Sequence, residues 1–132
     1  MLGEIKTNGQ IVVSDLEAGV GTVLRMKPGI ADFILVIAEP TARSIEAARR
    51  ASSIAKERSH VIVVANRVRS DEDLEAIRTV LGEHEMVVVP EDPDIAEADR
   101  EGLAPIDVAG DSPGVAAIQA LAERLQPQVA AS

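Results

Sequence analysis

The sequence predicts an α/β fold, with a mostly parallel sheet and flanking helices, in a single domain over residues 1–126. Apolar segments of strand length alternate with segments of helical period, and strict alternation implies right-handed crossovers between parallel strands. Apolar residues make up 46% of the 132 residues, yet Phe33 is the only aromatic residue, so the core must consist of aliphatic side chains. Such a core suits parallel strands covered by helices.

Four short apolar segments are the predicted strands. The first, Ile11–Ser14, ends at an acidic residue, and the second lies in DFILVIAEP, where the closing proline cannot donate to a strand ladder. The third, HVIVVANRV, is continuously apolar before its polar end, as expected of a strand covered on both faces. The fourth is EMVVVPED.

Two helices are predicted between these strands. In TARSIEAARRASSIAKER, the helical period places Ile45, Ala48 and Ala55 on one face. In SDEDLEAIRTVLG, Ser70 is a good N-cap and Gly82 lies past the end. The apolar positions of this second helix are expected to point inward; they are Leu74, Ile77 and Leu81.

Two further helices are predicted after the fourth strand. DPDIAEADREG begins with a capping aspartate followed by proline, and SPGVAAIQALAERL begins with the related Ser–Pro pair. The last helix is expected to bury one apolar face, made of Val115, Ile118, Leu121 or Ala122, and Leu125. Residues 127–132 are expected to be a frayed tail.

Polar residues stand at the carboxyl ends of the predicted strands, where parallel sheets bind their ligands. These residues are Asp15 after the first strand, Glu39 with Pro40 after the second, Asn66 with Arg67 after the third, and Pro90, Glu91 and Asp92 after the fourth. Each has a structural alternative, since an asparagine can close a turn with its amide and Asp92 is a good helix cap.

Two interpretations of the turn in IVVSDLEAGVG, where an aspartate is followed by two glycines, fit the sequence poorly. A dinucleotide fingerprint would use Gly19 and Gly21 with Glu39 on the ribose, but Leu24 stands where the third glycine belongs. A receiver-like phosphoacceptor aspartate would require a lysine at a later strand end, and no lysine of this sequence is placed there.

A third interpretation takes D-x-x-A-G as a switch segment of a phosphate-binding ATPase. An aspartate at a strand end can hold a Mg²⁺-bound water, and a following glycine lets a backbone N–H approach the terminal phosphate. Asp15 and Gly19 occupy these two positions. Alone the pentapeptide is unspecific, so the interpretation depends on its neighbours.

The order of four segments resembles the MinD/ParA-like P-loop ATPases, and within them the branch of the nickel-insertion accessory ATPase of carbon monoxide dehydrogenase. VVSDLEAG is similar to the switch segment of that family, and ADFILVIAEPTARSIEAARRA to its next strand and helix. VIVVANRV and VVVPEDPDIAEADREGLAPI are similar to its base-binding strand and loop. The resemblance covers roughly Ile11 to Leu125.

The resemblance implies ATP and Mg²⁺ as cofactors. Asp15 and Gly19 would be the catalytic switch residues, with Asp15 on the metal or its water. Asn66 would read the adenine edge, and the base and ribose would be lined by Pro90, Glu91 and Asp92. The family further implies a homodimer and a protein partner, which in the nickel-linked branch is a metalloenzyme.

One motif of the family is absent from this sequence. Its members open with a glycine-rich loop containing G-K-[ST], and no Gly–Lys pair occurs here. We therefore expect the chain to correspond to the C-terminal half of such an ATPase and to hydrolyse little or no ATP alone. The sequence also has no cysteine, so the cysteine pair of the nickel-linked branch is missing and metal handling is not implied.

The charge distribution limits the partners. A net charge of −9 argues against binding to nucleic acid or anionic membranes. No apolar run is long enough to span a bilayer and no signal pattern is present, so a cytoplasmic location is expected. From Thr41 to Arg69 seven Lys/Arg accompany two Glu, and this favours an alternative function: a non-catalytic interaction module that docks an acidic partner through residues 41–58.

Overall fold

The computed structural model describes residues 12–14, 27–29 and 31–126. The strands of this part form one sheet in the order β1–β2–β3, and both pairings are parallel. The predicted α/β class is therefore confirmed. In chain order the elements are β1 (Phe33–Ala38), α1 (Ala42–Ala55), β2 (His60–Val68), α2 (Asp71–Leu81), β3 (Glu85–Pro90), α3 (Pro93–Arg100), α4 (Pro105–Val108) and α5 (Pro113–Leu125).

The central strand β2 carries an irregularity at its carboxyl end. Its pairing with β3 is regular up to Asn66, which lies opposite Val89. The register then shifts, so that Val68 rather than the next residue pairs with Pro90. Arg67 is the extra residue of this β-bulge, and a bulge of this kind redirects a side chain at the end of a strand.

Helices α1 and α2 cover one face of the sheet. The helical periods predicted from the sequence are confirmed, since Ile45, Ala48 and Ala55 of α1 and Ile77 and Leu81 of α2 are buried. Burying a side chain of the size of Ile or Leu contributes about 1.5–3 kcal/mol, so this face is the main source of stability. The sheet residues in the same cluster are Ile34, Val36, Ala38, Val61, Val63 and Ala65.

Helix α5 covers the opposite face mostly with the predicted residues, since Val115 and Leu121 are buried and Leu125 is partly buried. Leu121 packs with Ile62, Val64 and Val89 of the sheet, and Ala117 and Leu125 lie beside them. The expectation that Ile118 is buried is wrong, because its side chain is 48% exposed. The helix contacts the sheet along positions spaced by four residues, and this turns Ile118 to the side.

The strand predicted at Ile11–Ser14 is not found in the residues that the structure describes. Val12–Ser14 belongs to no strand, and Val13 is 86% exposed. β-propensity mainly measures packing on neighbouring strands, so a short apolar run does not form a strand without a partner for its backbone groups. Ile11 and Asp15 lie outside the described residues. No helix within the described ranges is long and apolar enough to cross a bilayer.

Candidate functional site

The predicted site residues of three strands meet at one edge of the sheet. Because the strands are parallel, their carboxyl ends bring together Glu39 after β1, Asn66 near the end of β2, and Pro90 and Glu91 at the end of β3. Asp92 follows directly as the N-cap of α3. The catalytic and metal residues expected from the sequence, Asp15 and Gly19, lie outside the described residues.

Asn66 has a side-chain amide that is free to bind a ligand. The residue is half-buried, and its amide forms no hydrogen bond with any residue that the structure describes. The alternative role of closing a turn with this amide is therefore not observed. An amide offers both donors and an acceptor, so an uncommitted one at a strand end suits a ligand that presents both.

Arg67 has a backbone conformation that favours glycine. Its φ is 58°, and in the described part of the chain it is the only non-glycine residue with positive φ. For a residue with a Cβ this left-handed conformation costs roughly 1–2 kcal/mol. Such strain persists only where surrounding structure maintains it, and it is concentrated at functional sites.

The guanidinium of Arg67 bridges the ends of the two outer strands. Its Nη1 lies 3.6 Å from Glu39 Oε2, and its Nη2 lies 3.3 Å from Glu91 Oε1. The side chain is 61% exposed, and an exposed ion pair contributes only about 0–1 kcal/mol. These two pairs therefore offset the backbone strain at best, and they do not explain why an arginine rather than a glycine stands here.

The sequence places Arg67 among the polar residues at the strand ends, but it favours no particular role for this side chain. It is an arginine after a strand, and nothing in the sequence indicates that the register shifts at this residue. Glu91 was expected to line the ligand, and the structure also places it between two cations, because Arg69 Nε lies 3.9 Å from its Oε2. Arg69 is itself held by Asp73, whose Oδ2 accepts from its backbone N–H at 3.0 Å.

Asp92 caps two helices at once. Its Oδ1 accepts the backbone N–H of Asp94 at 2.9 Å, in the first turn of α3, and its Oδ2 accepts that of Gly114 at 2.8 Å, in the first turn of α5. The residue is only 8% exposed. Its predicted capping role is thus present, and the second cap on α5 was not expected from the sequence.

Ser112 precedes α5 but does not cap it with its side chain, contrary to the expectation from the Ser–Pro pair. Its hydroxyl is buried and forms no hydrogen bond of normal geometry with a described residue. It lies close enough to Asp92 to favour the ionised carboxylate. The Ser112 hydroxyl, followed by the backbone N–H of Gly114, lowers the pKa of the Asp92 carboxyl below its usual value.

A second polar cluster lies at the amino end of the strands, opposite the candidate site. Arg124 of α5 donates to both oxygens of Glu85 at 2.9 Å, and His60 Nε2 lies 2.8 Å from the same carboxylate. Arg124 also stacks over the ring of Phe33, with its Cζ 5.1 Å from the centroid. The hydrogen bonds from Arg124 and then His60 lower the pKa of Glu85. This cluster fixes α5 to the sheet.

The described residues at the carboxyl edge are an amide, a guanidinium, a proline and carboxylates. The free amide of Asn66 and the strained Arg67 stand at the same edge as the proline and acids that follow β3. In the described ranges no three His, Asp or Glu side chains are grouped so that they could hold a metal ion.

Comparison of the structure with solved structures identifies the architecture. MinD cell division protein of Aquifex aeolicus superposes with a TM-score of 0.61 and 25% sequence identity, over 73% of this chain and 44% of that chain. The fold is that of the MinD-like P-loop ATPases. MinD in the MinC:MinD complex of the same organism superposes with a TM-score of 0.56 and 27% identity, over 73% of this chain and 43% of that chain.

Comparison of sequences adds one relative. An "uncharacterized ATP-binding protein" of Methanocaldococcus jannaschii is 31% identical over 121 residues, which are 88% of this chain and 46% of the relative. No profile of a known protein family matches the chain. The chain thus spans about half the length of the MinD-like proteins it resembles, and the narrower nickel-insertion branch stays a prediction.

Proposed function

We propose that this chain is a MinD-like ATP-binding domain, in which the carboxyl edge of the sheet supplies the base and ribose side of the site. The observation that carries the proposal is the meeting of three parallel strand ends around the free amide of Asn66. The relative described as ATP-binding is aligned over 88% of this chain, which includes that edge.

Asn66 is proposed to read the adenine. Its amide can donate to one ring nitrogen and accept from the exocyclic amine, and asparagine pairs with adenine in this bidentate way. Pro90 would contact the face of the base, and Glu91 would accept from a ribose hydroxyl. Asp92 is already used by two backbone N–H groups, so its proposed part is to hold the loop in place.

We propose Mg²⁺ binding and ATP hydrolysis on the resemblance alone. Asp15 would hold the ion or its water, and Gly19 would let a backbone N–H approach the terminal phosphate, as the resemblance implies. Since the sequence has no G-K-[ST] segment, we expect little ATP turnover by these 132 residues. Loss of one such phosphate-stabilising donor typically costs about 10²–10³ in rate.

A protein partner is also proposed, because one structural neighbour is MinD in a complex with MinC. The homodimer and the metalloenzyme partner stay predictions. The alternative of a non-catalytic module that docks an acidic partner through residues 41–58 also stays a prediction, and Arg49 and Arg50 of that segment pair with Glu46 at the exposed surface.

Calorimetric titration with ATP tests the proposal. We expect Asn66→Ala to weaken ATP binding by about tenfold or more, since a bidentate amide–base pair is worth about 1–3 kcal/mol. Gln119→Ala, which removes an exposed amide from α5, is the matched control and should leave the affinity unchanged. No heat at millimolar ATP, or equal affinities of the two variants, would contradict an adenine site at Asn66.

A further inference from the structure

An open groove lies between α3 and the segment that leads into α5. Its volume is about 570 Å³. Four carboxylates line it, and we call it the acidic groove; they are Asp94, Glu97, Glu101 and Asp111. The first three recur at helical spacing, so they project from one side of α3 and its last turn.

Most of the charge in the acidic groove is uncompensated. Glu97 pairs with Arg100 at 2.8 Å. Asp94, Glu101 and Asp111 form no ion pair with any residue in the described ranges. From Ser70 to Arg124 the chain carries fifteen Asp/Glu and three Arg, so no excess of positive charge is available nearby. Like charges gathered in a concave surface attract a cationic partner.

The described residues of the acidic groove do not form a metal-binding site. Among the described residues no three carboxylate or histidine side chains converge closely enough to coordinate one. The acids are instead spread along the groove, as suits several positive charges on an extended partner. Ser112 also lines the groove and is only 6% exposed.

The flank of the acidic groove is apolar and exposed. Three large aliphatic side chains stand out within six positions, on α4 and just before it: Leu103, Ile106 and Val108. Ile106 is 58% exposed, and Val108 also lines the groove. Large exposed aliphatic groups beside uncompensated charge are typical of a surface that binds an amphipathic helix.

We propose that the acidic groove and its apolar flank bind a basic amphipathic helix of a partner protein. The Lys or Arg side chains of this helix would meet Asp94, Glu101 and Asp111, and its apolar side would cover Ile106. A second copy of this chain fits less well. Its basic helix α1 carries no exposed large apolar side chain to place against Ile106.

The test uses the full 132-residue chain and a fluorescein-labelled synthetic helix of 18 residues, with lysines on one side and leucines on the other. Binding is measured by anisotropy against a scrambled peptide of the same composition. The test variant is Asp94→Asn/Glu101→Gln/Asp111→Asn. The matched control, Glu72→Gln/Glu75→Gln/Glu123→Gln, removes the same charge from exposed carboxylates outside the groove.

We expect the triple groove variant to weaken binding of the synthetic helix by about tenfold, since the loss of each exposed ion pair weakens binding by roughly twofold. The control should weaken it by less than about twofold. Ile106→Ser should also weaken binding, and the scrambled peptide should bind less tightly than the helix.

Three results would overturn the proposal. Equal losses in the two triple variants would mean that only the net charge attracts the peptide. Equal binding of the scrambled peptide and the helix would show that the apolar flank does not contribute to binding. A dimer in light scattering that the groove variant dissociates would make a second copy the occupant. None of these readouts depends on nucleotide binding.

Discussion

At the scale of single residues, the arginine in the bulge of β2 is the clearest sign of function. The free-energy cost of its positive φ exceeds the stabilisation by its two exposed ion pairs. A glycine in its place would therefore make the fold more stable. Proteins often retain such local strain where a side chain is needed at a binding site.

Two substitutions of Arg67 distinguish the energetic effect of the backbone conformation from that of the side-chain ion pairs. Arg67→Ala removes the ion pairs but keeps the strain, whereas Arg67→Gly removes both. We expect the glycine variant to have a free energy of unfolding about 1 kcal/mol above that of the alanine variant, measured by urea denaturation. Equal stabilities of the two variants would show that the left-handed conformation carries no strain.

The sequence located Asn66 and Arg67 at the end of a strand but did not indicate the conformation of Arg67, and the reason is physical. Asn66 is found by counting to the end of an apolar run, which depends only on local period. The conformation of Arg67 depends on where β2 changes register against β3, and that is a property of the paired strands. The same limit applies to Asp92, whose second hydrogen bond joins residues 22 positions apart.

At the scale of elements, the sequence predicted β1 to β3 and four of the five helices of the described part, but it did not predict α4 and it placed a strand over Val12–Ser14 that is not found. The caps Ser70 and Asp92 and the apolar faces of α1 and α2 are local features, and each is confirmed. For α5 the predicted face was right at Val115, Leu121 and Leu125 but wrong at Ile118, since Ala117 meets the sheet instead. A helix rich in alanine has no single apolar stripe, so its orientation is set by the sheet it covers.

The junction of α3 and α5 allows no side chain at Gly114. A Cβ there would lie 2.9 Å from the Cβ and Oδ2 of Asp92 and 2.7 Å from Cδ1 of Ile95. Gly114→Ala should therefore lower the free energy of unfolding by about 1–2 kcal/mol, because the overpacking outweighs the better helix propensity of alanine. Gln119→Ala, on the exposed side of α5, should change it by less than about 0.5 kcal/mol in the same urea titration. A Gly114→Ala variant as stable as wild type would mean that the two helices separate without cost.

At the scale of the whole molecule, the two faces of the sheet are covered unequally. Helices α1 and α2 bury one face of β1 and β2 in a continuous cluster. On the other face α5 lies over β2 and β3, and Leu35 and Ile37 of β1 stay exposed. The attachment of α5 to this second face therefore depends strongly on its two polar contacts, Asp92 at one end and Glu85 at the other.

These two contacts make the stability of the molecule sensitive to acid. The pKa values of Glu85 and Asp92 are both lowered in the folded chain. A carboxyl with a lowered pKa stabilises the fold above its unfolded pKa, about 4, and this contribution is lost as the pH falls through the folded value. The net charge of −9 acts in the opposite direction, because protonation of other acids relieves their repulsion.

We expect the specific contacts to prevail over the general repulsion, since the lost bonds hold a whole helix while most of the other acids are exposed and screened. The free energy of unfolding should thus fall between pH 7 and pH 3 in urea titrations. The variant Glu85→Gln/Asp92→Asn should be less stable than wild type at pH 7 but should change less over the same range. If the free energy of unfolding of the double variant had the same pH dependence as that of wild type, protonation of other groups would cause the loss of stability. Helix α5 would then be held by its apolar contacts alone.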